Sequence, residues 1–246
     1  MKVLRELIYL NLRLFYRDPA ALFFAMVFPV LLLVFFGLVF GGESSIDKGF
    51  TYVEEAVPGF VVIVMATVGF LQIPGTFAIR REMRVLRAFK VTPLRAVTYI
   101  WADIIVNLLI VLCAMLLLSL VAWFAFGMRF LGNISATLLG MVFCSSAFFS
   151  FGYVIANLAA TARSATAIGN LLFFPLMFLS GAAIPLGEMP QKVQAFAQVL
   201  PMTKAVSLMQ GLWFGYPIEQ LIPQVIYLTA VLIGSTFLAV VYFKWE

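Results

Sequence analysis

Apolar residues run through this chain in long blocks separated by short polar breaks. Six blocks are long enough to cross bilayer hydrocarbon, which takes about 20 apolar residues as a helix. They cover residues 20–40, 57–79, 99–126, 134–158, 166–184 and 221–243. Pro29, Pro74 and Pro175 lie inside three of them and predict kinks, tolerable where neighbouring helices meet the freed carbonyls. A different period precedes the first block. Over residues 2–17, at 100° per residue, Lys2, Arg5, Glu6, Arg13 and Arg17 share one face, and Val3, Leu4, Leu7, Ile8, Leu10, Leu14 and Phe15 cover the other. That is the pattern of a helix lying in the membrane interface. Asp18-Pro19 then separates it from the first block, Asp18 as a cap and Pro19 in the first turn.

The expected fold is therefore all-α: one polytopic domain over residues 1–246, with an interfacial helix and six spans. Composition agrees. The chain is 64% hydrophobic and 11% charged, with a mean hydropathy of +1.08, against about a quarter charged in soluble domains. The net charge of +5 sits at the edges of apolar blocks, which argues against a nucleic-acid partner. Cys113 and Cys144 both fall inside apolar blocks and read as small buried hydrophobes. With no His, the commonest metal ligand and general base are missing. The N-terminus lacks the short apolar core and small-residue site of a cleaved signal peptide. No internal repeat or inverted symmetry relates the halves, unlike many secondary transporters.

Charge orients the blocks. With the N-terminus, residues 80–95, Arg163 and the C-terminus on one side, that side holds twelve Lys and Arg and the other four. The bias places both termini in the cytoplasm. Residues 41–56 then form an acidic outer loop, and 127–133 and 159–165 tight turns. The long stretch 185–220 is too apolar for a simple loop. Pro190 and Pro201 each open a short amphipathic pattern there, predicting re-entrant outer helices over about 186–215.

Between Arg80 and Arg95 the chain reads RREMRVLRAFKVTPLR, with six of its sixteen Lys and Arg residues. On a wheel, Ile79, Met83, Val85, Leu86 and Phe89 fall on one side and Arg80, Arg81, Arg84 and Arg87 on the other, with Glu82 and Lys90 near the apolar edge. This predicts a short amphipathic cytoplasmic helix over about 80–92, ended by Thr92-Pro93. A solvated loop on anionic headgroups would also be basic, but has no need of Leu86 and Phe89. Candidate chemistry is otherwise sparse. There is no G-x-x-x-x-G-K-[ST] loop for ATP and no Cys/His cluster for a metal. Ser145, Ser146 and Ser150 lie in a span without a base to activate them. Asp103 is the one acid inside a span. It reads either as a proton or ion site or as an interfacial ion pair with Arg95 or a neighbouring basic residue.

Three stretches taken together resemble the permease subunit of ABC-type exporters of the second class, which move drugs, lipids and polysaccharides. NLRLFYRDPAALFFAMVFPVLLLVFFGLVFGG is similar to that family's interfacial helix and first span. REMRVLRAFKVTPLR is similar to its first cytoplasmic loop. NLLFFPLMFLSGAAIPLGEMPQKVQAFAQVLPMTKAVSLMQGLWFG resembles its fifth span, Pro-bearing break and re-entrant helices. The resemblance implies an energy supply from two separate cytoplasmic ATPase subunits, which bind ATP and Mg, and a second permease copy, as a homodimer or with a related permease. The chain itself would be no enzyme and hold no cofactor. Coupling would run through Glu82, Met83, Arg84, Leu86, Arg87 and Phe89 and the interfacial-helix residues Arg5, Arg13 and Arg17. Substrate would pass along spans two and five, with Phe173, Phe174, Met177 and Phe178 as candidate lining. An amphipathic, drug-like or lipid-linked substrate is expected, with a polysaccharide or glycolipid as the alternative. An ion-coupled transporter resting on Asp103 is a further one.

Overall fold

The computed structural model describes residues 2–40, 51–84 and 96–242. Among these residues there are helices and turns, with no paired sheet. Helix α1 (Lys2–Tyr16) comes first. The Asp18 carboxylate then accepts from the Ala20 and Ala21 amides at 3.1 and 3.0 Å and opens the next helix, with Pro19 in its first turn. Six helices are long and apolar enough to cross a membrane. They are α2 (Pro19–Phe40), α3 (Tyr52–Glu82), α4 (Ala96–Phe126), α5 (Ile134–Leu158), α6 (Ala162–Leu179) and α9 (Ile218–Val241). Two shorter helices, α7 (Gln191–Ala197) and α8 (Pro201–Trp213), stand between α6 and α9.

The bundle is organised around α3, whose apolar stretch is 89% buried. Its neighbours are α2, α4, α5, α6 and α8, while α9 packs outside them on α5 and α8. Val, Ile, Phe, Met, Ala and Gly cover every side of α3, a composition that suits either lipid or a protein interior. Glycines set the closest approaches. A Cβ on Gly152 of α5 would lie 2.1 Å from the Gly69 carbonyl oxygen, and one on Gly169 of α6 would lie 2.1 Å from the Phe70 carbonyl oxygen. Helices that pack without a hydrophobic driving force use such small residues to bring backbones together.

The prolines are accommodated by π-helical turns. Residues Phe23–Val27 precede Pro29, and Thr67–Gln72 precede Pro74. A proline has no N–H for the carbonyl four residues back and crowds it; inserting a residue into the turn relieves both. Pro175 stays within an α-helical α6.

Several boundaries differ from the sequence expectation. Helix α3 starts before residue 57, because Thr51 and Glu54 cap it reciprocally, and runs past 79 to Glu82. Helix α6 starts at Ala162 rather than 166, because Thr161 and Ser164 form the same reciprocal cap, and stops at Leu179, with Gly181 at φ +81. The two short helices also part company. The first, α7, is peripheral and leaves Phe196 exposed, whereas α8 buries Met202, Ala205, Leu208, Met209 and Trp213 among α3, α5 and α9. Helix α1 does not give its whole apolar face to lipid: Leu7, Ile8 and Phe15 pack on the core, while Val3, Leu10 and Leu14 stay exposed.

Candidate coupling and translocation residues

At one end of the bundle, three consecutive residues of α3 each reach a different neighbour. Arg80 is ion-paired to Asp103 of α4 at 2.9 Å. Its guanidinium also donates to the Tyr99 hydroxyl, and to the Asn11 carbonyl oxygen of α1 at 3.2 Å. Arg81 is buried and donates to the carbonyl oxygens of Ala156 at 2.9 Å and Ala159 at 2.5 Å, in the last turn of α5 and just beyond it. Glu82 accepts from the Ala162 amide, the first of α6, at 2.7 Å. A helix leaves carbonyls unpaired at its C-terminus and amides unpaired at its N-terminus, with partial negative and positive charge respectively. A cation at the end of α5 and an anion at the start of α6 are therefore each placed with favourable sign.

Asp103 sits at the centre of a larger polar group. It accepts from the Tyr153 hydroxyl of α5 at 2.9 Å and from the Asn107 amide at 3.4 Å, and Asn107 in turn accepts from Gln72 of α3 at 3.3 Å. Asn11, Tyr99, Asp103 and Asn107 are all buried. A carboxylate taken out of water needs this density of donors to remain tolerable. The ion-pair reading of Asp103 is thus met, with Arg80 as the neighbouring basic residue. Tyr99, Asp103 and Asn107 recur every four residues on one face of α4. That spacing was available in the sequence as a sign of a polar stripe.

The same geometry corrects the start of the expected helix over 80–92, whose residues 85–92 lie outside the described residues. The helix of the second span continues to Glu82, Met83 is its cap residue, and Arg84 takes a left-handed φ of +58. Arg80, Arg81 and Glu82 therefore belong to α3, and Arg80 and Arg81 do not form a solvated face, because a carboxylate and backbone carbonyls are within reach of them. Met83 is 72% exposed. Leu86, Arg87 and Phe89 lie outside the described residues. In and beside α1, Arg5, Arg13 and Arg17 are exposed.

The four candidate lining residues do not share a surface. Phe173 and Met177 are buried in the core, whereas Phe174 and Phe178 are about half exposed on the outside of α6. Span two, expected to line the path with span five, is the largely buried α3; near its C-terminal end Ile79 is exposed and Leu71, Gln72 and Thr76 are partly so. An apolar cleft of roughly 420 Å³ lies beside α6, between it, α9 and the α7–α8 segment; Phe70, Phe151, Leu172, Leu176, Phe196 and Tyr227 are among its walls. At the far end of the bundle, Glu54 accepts from the Arg129 amide at 3.1 Å and its side chain at 3.0 Å. The Glu54 carboxylate holds the Arg129 guanidinium above its ordinary pKa. Cys144 is buried and Cys113 exposed, both as free thiols.

Six apolar helices, one of them a buried central span, with a polar node at one end, define a multi-pass membrane protein of all-α type. The chain matches the ABC-2 type transporter family over residues 3–214, and it belongs to that family. It is 27% identical over 191 residues to the "Probable multidrug ABC transporter permease YbhS" of Escherichia coli, covering 74% of this chain and 50% of that protein. It is 30% identical over 116 residues to the "Inner membrane transport permease YhhJ" of the same organism, covering 47% and 30%. A third relative, "Nodulation protein J" of Rhizobium leguminosarum, is 32% identical over 72 residues, covering 29% and 28%. The chain thus spans about half the length, or less, of the curated relatives it matches.

Proposed function

We propose that this chain is the permease subunit of an ATP-driven exporter that moves an amphipathic, drug-like or lipid-linked molecule out of the cytoplasm or inner leaflet. Two cytoplasmic ABC ATPase subunits would bind ATP and Mg, and a second permease copy would complete the path. The observation that carries this reading is the node at the end of α3. The basic segment that follows Glu82 leaves from a point joined by side-chain hydrogen bonds to α1, α4, α5 and α6. A push on that segment when the ATPases close would reach four helices at once, which is what a permease without its own nucleotide site requires. The charge bias supports a cytoplasmic place for this end, where the ATPases would dock. The exposed pair Phe174 and Phe178 on α6 is the better candidate for the substrate or the second copy; Phe173 and Met177 hold the core.

The three contacts on Asp103 favour a structural carboxylate over an ion-coupling site. Four measurements test the proposal. Copurification with the neighbouring gene products should bring down an ATPase, and vesicles of that complex should move substrate with ATP. Leu86→Asp or Phe89→Asp should separate ATP hydrolysis from transport; normal transport in both variants would remove the docking role. Ion-driven uptake in vesicles lacking ATP would point instead to a secondary transporter.

A further inference from the structure

We infer that Arg81 and Glu82 are positioning residues that latch the α5–α6 turn to the end of α3, so that α6 moves with the segment that follows Glu82. The inference rests on the exporter reading for its consequence, and on geometry for its existence. The turn from α5 to α6 is short: α5 ends at Leu158 and α6 begins at Ala162. Arg81 holds one side of it through the Ala156 and Ala159 carbonyls, and Glu82 holds the other through the Ala162 amide. Two adjacent residues of one helix thus bracket the junction of two others. Both contacts have the sign that the helix ends favour, so neither works against the other.

The latch has a packed hinge plate behind it. Ala78 of α3 is buried with Ala159 and Ala165, and Ala162 packs on them. Further along, a Cβ on Gly75 would lie 3.3 Å from the Thr166 hydroxyl, and Gly169 meets the Phe70 carbonyl. With no Cβ, Gly169 lets the two backbones approach at that carbonyl. Small residues therefore keep the lower part of α3 and the first half of α6 in backbone contact, and the charged pair fixes their ends. A displacement entering at Met83 would be passed to α6, which carries Phe174 and Phe178, before it reached the peripheral α9.

Hydrogen exchange on the assembled permease–ATPase complex reads the latch directly. In the parent protein the Ala162 amide should exchange at least tenfold more slowly than that of Arg163, which shares the first turn. Glu82→Ala should erase that difference, while Glu82→Gln, which keeps an acceptor oxygen, should retain most of it. The amount of substrate moved per ATP hydrolysed should fall at least tenfold in Glu82→Ala and stay within about threefold in Glu82→Gln. Unprotected Ala162 in the parent protein, or equal transport per ATP in all three forms, would overturn the latch. Equal losses in Ala and Gln would also overturn it, because they would mean that the charge meets a partner instead of the amide. A parent complex that moves no substrate with ATP would sink the exporter reading alone, and the exchange result would still decide the latch.

Discussion

Replacing Asp103 by Ala removes the carboxylate on which Arg80 and Tyr153 converge. Charge-assisted hydrogen bonds contribute about 1.5–3 kcal/mol each, and two of those on Asp103 are short, at 2.9 Å. The Asn107 contact at 3.4 Å adds little. Deleting one member of a buried pair costs about 3–5 kcal/mol, because the other charge is stranded. Arg80 keeps Asn11 and Tyr99, and its side chain retains 18% exposure, so the lower end applies, about 3 kcal/mol. For a chain of this size that corresponds to a Tm lowered by about 6–12 °C. Arg80→Met should cost less, about 2 kcal/mol, since the carboxylate left behind keeps its contacts with Tyr153 and Asn107. The double variant Arg80→Met, Asp103→Ala strands no charge and should be more stable than the sum of the singles by about 1–3 kcal/mol. Melting in detergent, with urea or SDS titration as a second measure, reads all four forms. Additive losses in the double variant would show that the pair is not the source of the stability. A neutral Asp103→Ala would dismantle the account of the node altogether.

Other substitutions probe other parts of the bundle. Gly152→Ala and Gly169→Ala place a methyl 2.1 Å from a backbone oxygen, so α3 must move away, at about 2–3 kcal/mol each by overpacking. Gly234→Ala meets nothing within 4 Å and should be neutral or stabilise α9 by up to about 1 kcal/mol; equal melting shifts at all three glycines would contradict the close approaches. Phe173→Ala empties a buried site and should cost about 3 kcal/mol, whereas Phe174→Ala should leave Tm within about 2 °C and lower transport. A Tm loss in Phe174→Ala as large as that in Phe173→Ala would count against its exposed position. Glu54→Gln weakens the acceptor shared by Thr51 and Arg129 and should lower stability by about 1–2 kcal/mol; an unchanged melt would show that the pair is slack.

Most of the architecture was legible because a bilayer imposes long uniform segments and because capping chemistry is local. The Asp18-Pro19 break is visible in two residues, and the six apolar helices follow from block length. The ends of α3 and α6 were misplaced because hydropathy alone ignores caps, although Thr51-x-x-Glu54 and Thr161-x-x-Ser164 were both in the sequence. The polar node was half legible. Asp103 called for a cation, but the wheel that placed Arg80 and Arg81 on an open face assumed a new helix where α3 simply continued. No local pattern says that a guanidinium will find the end of another helix some 75 residues away. The burial of α3 was equally hidden, since a lipid-facing helix and a buried one have the same apolar composition, and only glycine at crossing points separates them.

The π-turn at Thr67–Gln72 also fixes a phase. It holds one residue more than an α-helical path of the same rise, and each residue of an α-helix advances the side chains by about 100°. Everything after it on α3, including Arg80, Arg81 and Glu82, takes its azimuth from that extra residue. Were the same residues wound as a regular α-helix, the triplet would swing about a quarter-turn around the helix and shift along its axis. Arg80 would then leave Asp103, and Glu82 would leave Ala162, without any of those residues being altered. The winding of this short stretch is thus as strict a requirement as the identity of the charges it aims.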